Sequence, residues 1–139
     1  MSILIIKQEL ETRLNTAITT VAIKWANTSV VTLNSVTLTQ TQIDALTVYI
    51  EPKMIPIESP RELISTANGV NYKTFFQVDI WIKKNQGTGN AYVINAALDT
   101  LFRDKNFNGV VCEQVDTLGS FEVEEFVVFP VRVLAHTWS

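Results

Sequence analysis

The apolar residues of this chain recur at two spacings, and each spacing predicts a type of secondary structure. Near the start they recur every three or four residues, which is the period of a helix with one buried face. This pattern is carried by Ile6, Leu10, Leu14, Ala17 and Ile18. A second pattern of this kind, after a turn at 85–90, is carried by Ile94, Ala97, Leu98, Leu101 and Phe102. We therefore predict two amphipathic helices, the first from Ile3 to about Thr19.

Elsewhere apolar and polar residues alternate, which is typical of strands with one buried face. The clearest strand runs from Tyr72 to Lys84, and its core face carries Tyr72, Phe76, Val78, Ile80 and Ile82. Phe75 and Trp81 lie on the opposite face and also need cover, from a helix or from a neighbouring subunit. Further strands are predicted around Val21–Trp25, over Leu46–Ile50 with a stop at Pro52, over Val110–Val115, and from Phe121 to about His136.

Two segments carry neither period. Residues 28–43 are rich in Thr, Ser, Asn and Gln, and they are compatible with a long polar loop or with an exposed strand. Residues 53–71 contain two prolines and Gly69 and are predicted to form a long loop. Loops longer than about 12–15 residues are usually functional or disordered, so we expect this one to be a contact surface that orders on assembly.

The candidate assembly interface combines this loop with the second face of the strong strand. In the loop, apolar side chains are expected to give most of the contact energy and a charged pair to give the register. The apolar residues are Met54, Ile55, Ile57, Leu63 and Ile64, and the charged pair is Arg61 and Glu62. Phe75 and Trp81 complete the set.

The order of these elements predicts the fold class. The chain has 139 residues, the size of one ordinary domain. Strands and two separated helices in the order α-β-β-β-α-β-β predict a single α+β domain over residues 1–139, with a mixed, mostly antiparallel sheet.

Composition adds an indication of assembly. The chain is 47% hydrophobic and only 18% charged, and its mean hydropathy is +0.17, which is high for a small monomer. A subunit that hides part of its surface in an assembly explains this value. The formal net charge of −3 argues against affinity for nucleic acid through its phosphates. Neither a membrane-spanning stretch nor a secretory signal is recognisable, so we expect assembly in a cytoplasm.

Candidate catalytic groups are few and lack partners. His136 is the only histidine, and it lies close to the C-terminus. Cys112 lies among valines, as a core side chain does. Glu122, Glu124 and Glu125 crowd one stretch, and Glu122 and Glu124 are predicted to share a strand face, but no pKa-shifting partner accompanies them. We therefore expect no enzymatic activity, no cofactor and no metal.

The order of the signals resembles the tail terminator, or tail completion, proteins of long-tailed bacteriophages. The similarity runs through the opening helix, the Leu46–Pro52 strand, Phe76-Gln77-Val78-Asp79-Ile80, the Gly87-Thr88-Gly89 turn with its helix, and Phe129-Pro130-Val131. It covers most of the chain. Residues 28–43 differ from the shorter, proline-containing connection of that family, so the loop that meets the tail tube is not assigned.

The resemblance implies a structural protein of the virion tail or neck. Such a subunit forms a ring, typically a hexamer, that caps the tail tube and stops its polymerisation. Its partners are other copies of itself, the tail tube protein and the head–tail connector protein. DNA passes through without specific binding, and no membrane is involved. An acidic chain suits a ring around DNA, because it does not adhere to phosphates.

Two alternatives stay open at this point. Another neck or head–tail completion protein would also form a ring but would bind the connector instead of the tube. The alternative from a different class is a small domain that holds an anionic ligand at the Gly87–Asn90 turn, where backbone N–H groups precede a helix. That turn lacks the further glycine or lysine of a nucleotide-binding motif, so a plain strand-to-helix turn is favoured.

Overall fold

A computed structural model describes residues 3–26, 28–63, 70–87 and 89–138. Its helices are α1 (Ile3–Ala17), α2 (Gln40–Asp44) and α3 (Gly89–Phe102). Its strands are β1 (Ala22–Lys24), β2 (Val31–Leu33), β3 (Val36–Thr37), β4 (Val48–Leu63), β5 (Val70–Lys83), β6 (Lys105–Phe107), β7 (Val110–Thr117), β8 (Phe121–Val123) and β9 (Phe126–Trp138). The predicted α+β domain is confirmed, and so are the two amphipathic helices.

The strands form one mixed sheet in the order β3-β2-β1-β4-β5-β9-β7-β6, and β8 pairs with β9 beside β7. β1 and β4 run parallel, whereas the other described pairs are antiparallel. β5 lies at the centre and pairs with β9 from Asn71 opposite Trp138 to Lys83 opposite Phe126. The long β4–β5 hairpin and β9 therefore form the backbone of the sheet.

One face of this sheet is covered by α1 and α3. α1 buries Ile6, Leu10 and Leu14, and α3 buries Ala91, Ile94, Leu98 and Phe102, in each case at the helical period. Ala17 and Ala97, which the sequence patterns also placed on the buried faces, are exposed. The sheet meets them with the predicted core face of β5, and Phe76 packs edge-to-face on Phe102 at 5.7 Å between ring centroids. Burial of these apolar side chains supplies the main driving force for folding.

The prediction that a strand ends at Pro52 and a loop follows over 53–71 is wrong for the described residues. β4 continues to Leu63, and Pro52 lies opposite Val78 within the β4–β5 pairing. Proline is tolerated there because β1 pairs with β4 only at Tyr49 and Ile50. Beyond Ile50 no described strand pairs with the outer edge of β4, so the missing N–H of a proline costs no hydrogen bond of the sheet.

The second half of this segment is an irregular strand. The β4–β5 register shifts between Pro56 and Arg61, and Ile57 lies within the shifted part. Regular pairing resumes at Arg61, Glu62 and Leu63. The remainder of the predicted loop, including Ile64 and Gly69, falls outside the described residues.

The polar segment 28–43 turns out to hold a strand pair and a short helix. β2 and β3 form a hairpin through Asn34 and Ser35, both at positive φ. The Thr39 side chain accepts a hydrogen bond from the backbone N–H of Gln42, and the Gln42 side chain accepts one from Thr39, which makes a capping box that starts α2. The exposed-strand alternative is therefore the better description of its first half.

The predicted closing strand from Phe121 to His136 is interrupted. Val123 pairs with Phe126, so Glu124 and Glu125 form a two-residue hairpin turn between β8 and β9. Glu124 is at φ 51°, a left-handed conformation that usually favours Gly or Asn. The sequence therefore shows no turn residue here, and Glu122 and Glu124 do not share a strand face.

The turn generates a stability prediction. Glu124→Asn should raise the free energy of unfolding by about 0.5–1 kcal/mol, because Asn adopts the left-handed conformation at lower cost than Glu. Chemical denaturation measures the change. Glu122→Asn, on the neighbouring strand, is the matched control and should show no gain. Equal effects of the two substitutions would mean that the left-handed conformation at Glu124 does not lower the free energy of unfolding.

Candidate assembly surface

The face of the sheet opposite α1 and α3 is named the open face here. It consists of the outward side chains of β4, β5 and β9, which the strand registers arrange in transverse rows. Tyr49, Trp81 and the fully buried Val128 form an apolar row at one end, and the half-buried Ile55, Phe75 and Leu134 form another further along. Two rows between them contain polar residues. The open face therefore has apolar residues at both ends and polar residues in the middle.

An aromatic cluster occupies the first end of the open face. Tyr49 stacks on Trp81 with 5.4 Å between ring centroids, and Phe126 meets both rings edge-on at 5.5 and 5.9 Å. Burial, together with the negative charge of Glu51, raises the pKa of Tyr49 to about 12, so its hydroxyl stays neutral at physiological pH. The buried Nε1 of Trp81 has no hydrogen-bond acceptor among the described residues.

A chain of polar contacts crosses the middle of the open face. Asp79 is only 3% exposed, and its two oxygens are held by Gln77 Nε2 at 2.7 Å and by Lys53 Nζ at 2.9 Å. Gln77 Oε1 in turn accepts two hydrogen bonds from Arg132, at 2.8 and 3.1 Å. The contacts join β4, β5 and β9, so they fix the register of three strands.

Large neighbours shield these polar groups from water. The Arg132 guanidinium lies 5.0 Å from the centroid of the Phe75 ring, a cation–π contact that covers one end of the polar rows. The aromatic cluster flanks the other end. The predicted cover for Phe75 and Trp81 thus comes partly from the chain itself, and both side chains remain partly accessible.

The structure separates the other predicted interface residues. Ile55 lies on the open face opposite Phe75, as a contact residue requires. Met54 lies opposite Phe76 and packs against the hydrophobic core, so it is turned away from the open face. Ile57, Arg61, Glu62 and Leu63 lie in the outer half of β4, and Ile64 lies outside the described residues. Ile55, Phe75 and Trp81 therefore share the open face, and Met54 does not.

The candidate catalytic residues do not converge. His136 Nε2 lies 3.4 Å from Glu113, whereas Glu122 and Glu125 pair loosely with Lys84 and Lys83 at 3.4 and 4.0 Å. Gly87 is at φ 76° in an open turn, as a strand-to-helix connection requires. No group of three or more potential metal ligands occurs among the described residues. In the same part of the chain, no helix is long and apolar enough to cross a membrane.

A second apolar surface lies on the helix side of the sheet. Tyr92 and Val93 of α3 are 66% and 70% exposed, and Leu4 of α1 is 57% exposed. Small residues line a shallow groove between α1 and α3, among them Ala17 and Ala97. We name Tyr92, Val93 and this groove the helix surface. It lies on the opposite side of the molecule from the open face.

Comparison with known proteins supports the fold and leaves the function open. No known protein family matches this sequence, and no curated protein sequence matches it. A solved structure is similar over 99% of this chain and 96% of its own, with 17% sequence identity and a TM-score of 0.67. At that identity the similarity establishes a shared architecture only.

Several surface residues were missed by the sequence patterns. Gln77 and Asp79 share the parity of Phe75 and Trp81, but their contacts with Lys53 and Arg132 join residues on three different strands. Tyr49 stands between Val48 and Ile50 in the predicted strand, and its aromatic partners become visible only once the register is known. Tyr92 is an aromatic residue outside the predicted buried face of its helix. That position was the feature of the sequence that could have indicated an exposed aromatic side chain.

The polar contacts generate the second prediction. Asp79→Ala should lower the free energy of unfolding by about 2–3 kcal/mol, since it leaves Gln77 and Lys53 without their acceptor in a largely buried place. Glu51→Ala is the matched control on the adjacent strand. It should cost less than about 1 kcal/mol, because Glu51 has only a loose contact with Lys24 at 4.0 Å. Equal losses in denaturant titrations would contradict this role of Asp79.

Cys112 generates the third prediction. It is fully buried in the core, and this burial raises the pKa of its thiol to about 12. The reactive thiolate is therefore scarce and inaccessible at pH 8. We expect a thiol reagent such as a disulfide dye to modify Cys112 at the rate of unfolding, and rapidly in denaturant. Fast labelling of the native protein at pH 8 would contradict the core assignment.

Proposed function

We propose that this chain is a phage tail terminator subunit, a structural protein that forms a ring on the end of the tail tube. The observation that carries the proposal is the presence of two unlike apolar surfaces on opposite sides of one small domain. The helix surface presents the exposed Tyr92 and Val93 and a groove, whereas the apolar rings of the open face, among them Tyr49, Phe75 and Trp81, are half-buried. The resemblance described above supplies the identity of the assembly.

Two different surfaces favour contacts between unlike sides of neighbouring copies. Contacts of this head-to-tail kind generate rings when the rotation between copies closes, and open filaments when it does not. A self-complementary dimer would instead use one surface twice. The six-fold symmetry proposed here rests on the resemblance to the family.

The sheet edges are consistent with side-chain packing between subunits. The outermost strands β3 and β6 span only two and three residues. Pro52 and Pro56 interrupt the unpaired outer edge of β4. Short strands and prolines at an edge discourage uncontrolled pairing with another sheet, so neighbouring copies would meet through faces.

In this proposal the ring contacts the tail tube protein on one side and the head–tail connector protein on the other. It stops tube growth by covering the surface that the next tube subunit needs. The ring performs no chemistry and holds no cofactor, and the net charge of −3 keeps it from adhering to the DNA that passes through. A neck or head–tail completion protein would have the same ring but no effect on tube length.

The fourth prediction tests this role. Purified tail tube protein polymerised with the chain should give tubes of limited length that carry a ring at one end, as measured by electron microscopy. Tubes grown without it should continue to elongate. Val93→Asp places a charge on the helix surface and should abolish the limit while the subunit stays folded.

The matched control is Gln86→Asp, which adds the same charge in the exposed turn before α3 and should leave length control intact. Unlimited tubes in the presence of folded wild-type protein would exclude termination. If connectors nevertheless acquired a ring, the neck-protein alternative would replace it.

A further inference from the structure

A cleft of about 250 Å³ opens at the end of the open face next to the aromatic cluster. Tyr49 and Phe126 line it from the sheet, and Val31, Ile43 and Leu46 line it from β2 and from the α2 segment. The apolar walls come from four separate parts of the chain. The fold thus builds this cleft, and it is not a gap beside a single loop.

The size and lining of the cleft fit one large side chain. Sites for small molecules usually measure roughly 300–1,000 Å³, and this cleft is smaller. Its aromatic wall is already fixed by the Tyr49–Trp81 stack, so it can receive another ring without rearranging. Lys24, Asp44, Lys83 and Glu125 at the rim offer donors and acceptors to a polar group on that ring. Tyrosine has this combination of an apolar body and a polar end.

The chain itself carries exposed side chains that could enter the cleft of another copy. Val30 precedes Val31 in the chain, and Val36 pairs with Leu33 in the hairpin that contains Val31. Phe121 lies on the hairpin that contributes Phe126, so these three belong to the strands that line the cleft. Tyr92, Val93 and Leu4 lie on the helix side. Among these, Tyr92 alone combines an aromatic ring with a hydroxyl.

The position of Tyr92 suits repeated contact between copies. Asn95, one turn later on α3, donates from Nδ2 to Thr117 Oγ1 at 2.9 Å, which places this flank of the helix against β7. The cleft lies on the β1–β4 flank and on the opposite face of the sheet. Tyr92 and the cleft are therefore separated across both the thickness and the width of the domain.

We propose that Tyr92 of one subunit inserts into the cleft beside Tyr49 and Phe126 of the next subunit and anchors the ring interface. This inference rests on the proposed function and names the contact that closes the ring. The aromatic side chain in a preformed pocket is the type of contact that dominates binding energy at protein interfaces. The charged rim would then surround it and exclude water.

Crosslinking between separately prepared variants tests the contact directly. Subunits with Ala96→Cys, one turn from Tyr92, are mixed with subunits with Asp44→Cys at the cleft rim. Both positions are exposed, and the native Cys112 is buried, so it does not compete. A short thiol-to-thiol crosslinker should join the two types of subunit when they assemble on tail tubes. Thr12→Cys, on the exposed side of α1, is the control and should not crosslink with Asp44→Cys.

Substitutions provide a second readout. Tyr92→Ala should raise the subunit concentration needed for half-maximal ring occupancy by about tenfold or more, and Tyr92→Phe should restore most of the loss. Ile43→Trp fills the cleft and should have the same effect as Tyr92→Ala, without further loss in the double variant, because both remove one contact. Circular dichroism of each variant checks that the subunit is folded.

The outcomes separate this contact from the function on which it rests. Rings that limit tube length but give no crosslink between the two positions, or that tolerate Tyr92→Ala, would overturn the Tyr92 contact alone. Wild-type subunits that neither form rings nor limit tubes would overturn both proposals.

Discussion

The pairing of β5 between β4 and β9 is the constraint on which the rest of the structure depends. A strand in the centre of a sheet has neighbours on both sides and must serve two faces with alternate residues. Here Phe76, Val78 and Ile80 build the core with α1 and α3. The alternate residues Gln77 and Asp79 join the polar contacts of the open face. A slip of one residue would place the carboxylate of Asp79 in the core, so the two faces reinforce one register.

The same alternation explains how much of the fold could be predicted from the sequence. α1, α3 and β5 carry long periodic patterns that are determined locally, and these elements were predicted with most of their buried residues. The extension of β4 past Pro52 was not, because tolerance of a proline depends on whether a neighbouring strand needs its N–H. The β8–β9 turn was missed for a related reason. Glu124 adopts a left-handed conformation, which a glutamate in the sequence does not predict.

The candidate surface was less predictable than the core. Phe75 and Trp81 were correctly placed on the second face of their strand, since parity alone decides that. Ile55 was assigned to a loop and lies instead in β4, opposite Phe75. Their surroundings were not predictable, because the stack of Tyr49 on Trp81 and the contact of Arg132 with Phe75 join residues distant in sequence. Surface patterns of this kind depend on strand order, and strand order follows from the whole topology.

Taken together, the proposal assigns opposite roles to the two sides of the domain. The rigid sheet holds a preformed aromatic cleft on one side, and the helices present exposed apolar side chains on the other. The most direct test is cryo-electron microscopy of tail tubes capped by the wild-type protein. The account predicts a closed ring, six-fold in symmetry, in which the open face of each subunit contacts the helix surface of its neighbour. A ring built from two-fold contacts between identical faces, or tube ends without a ring, would contradict it.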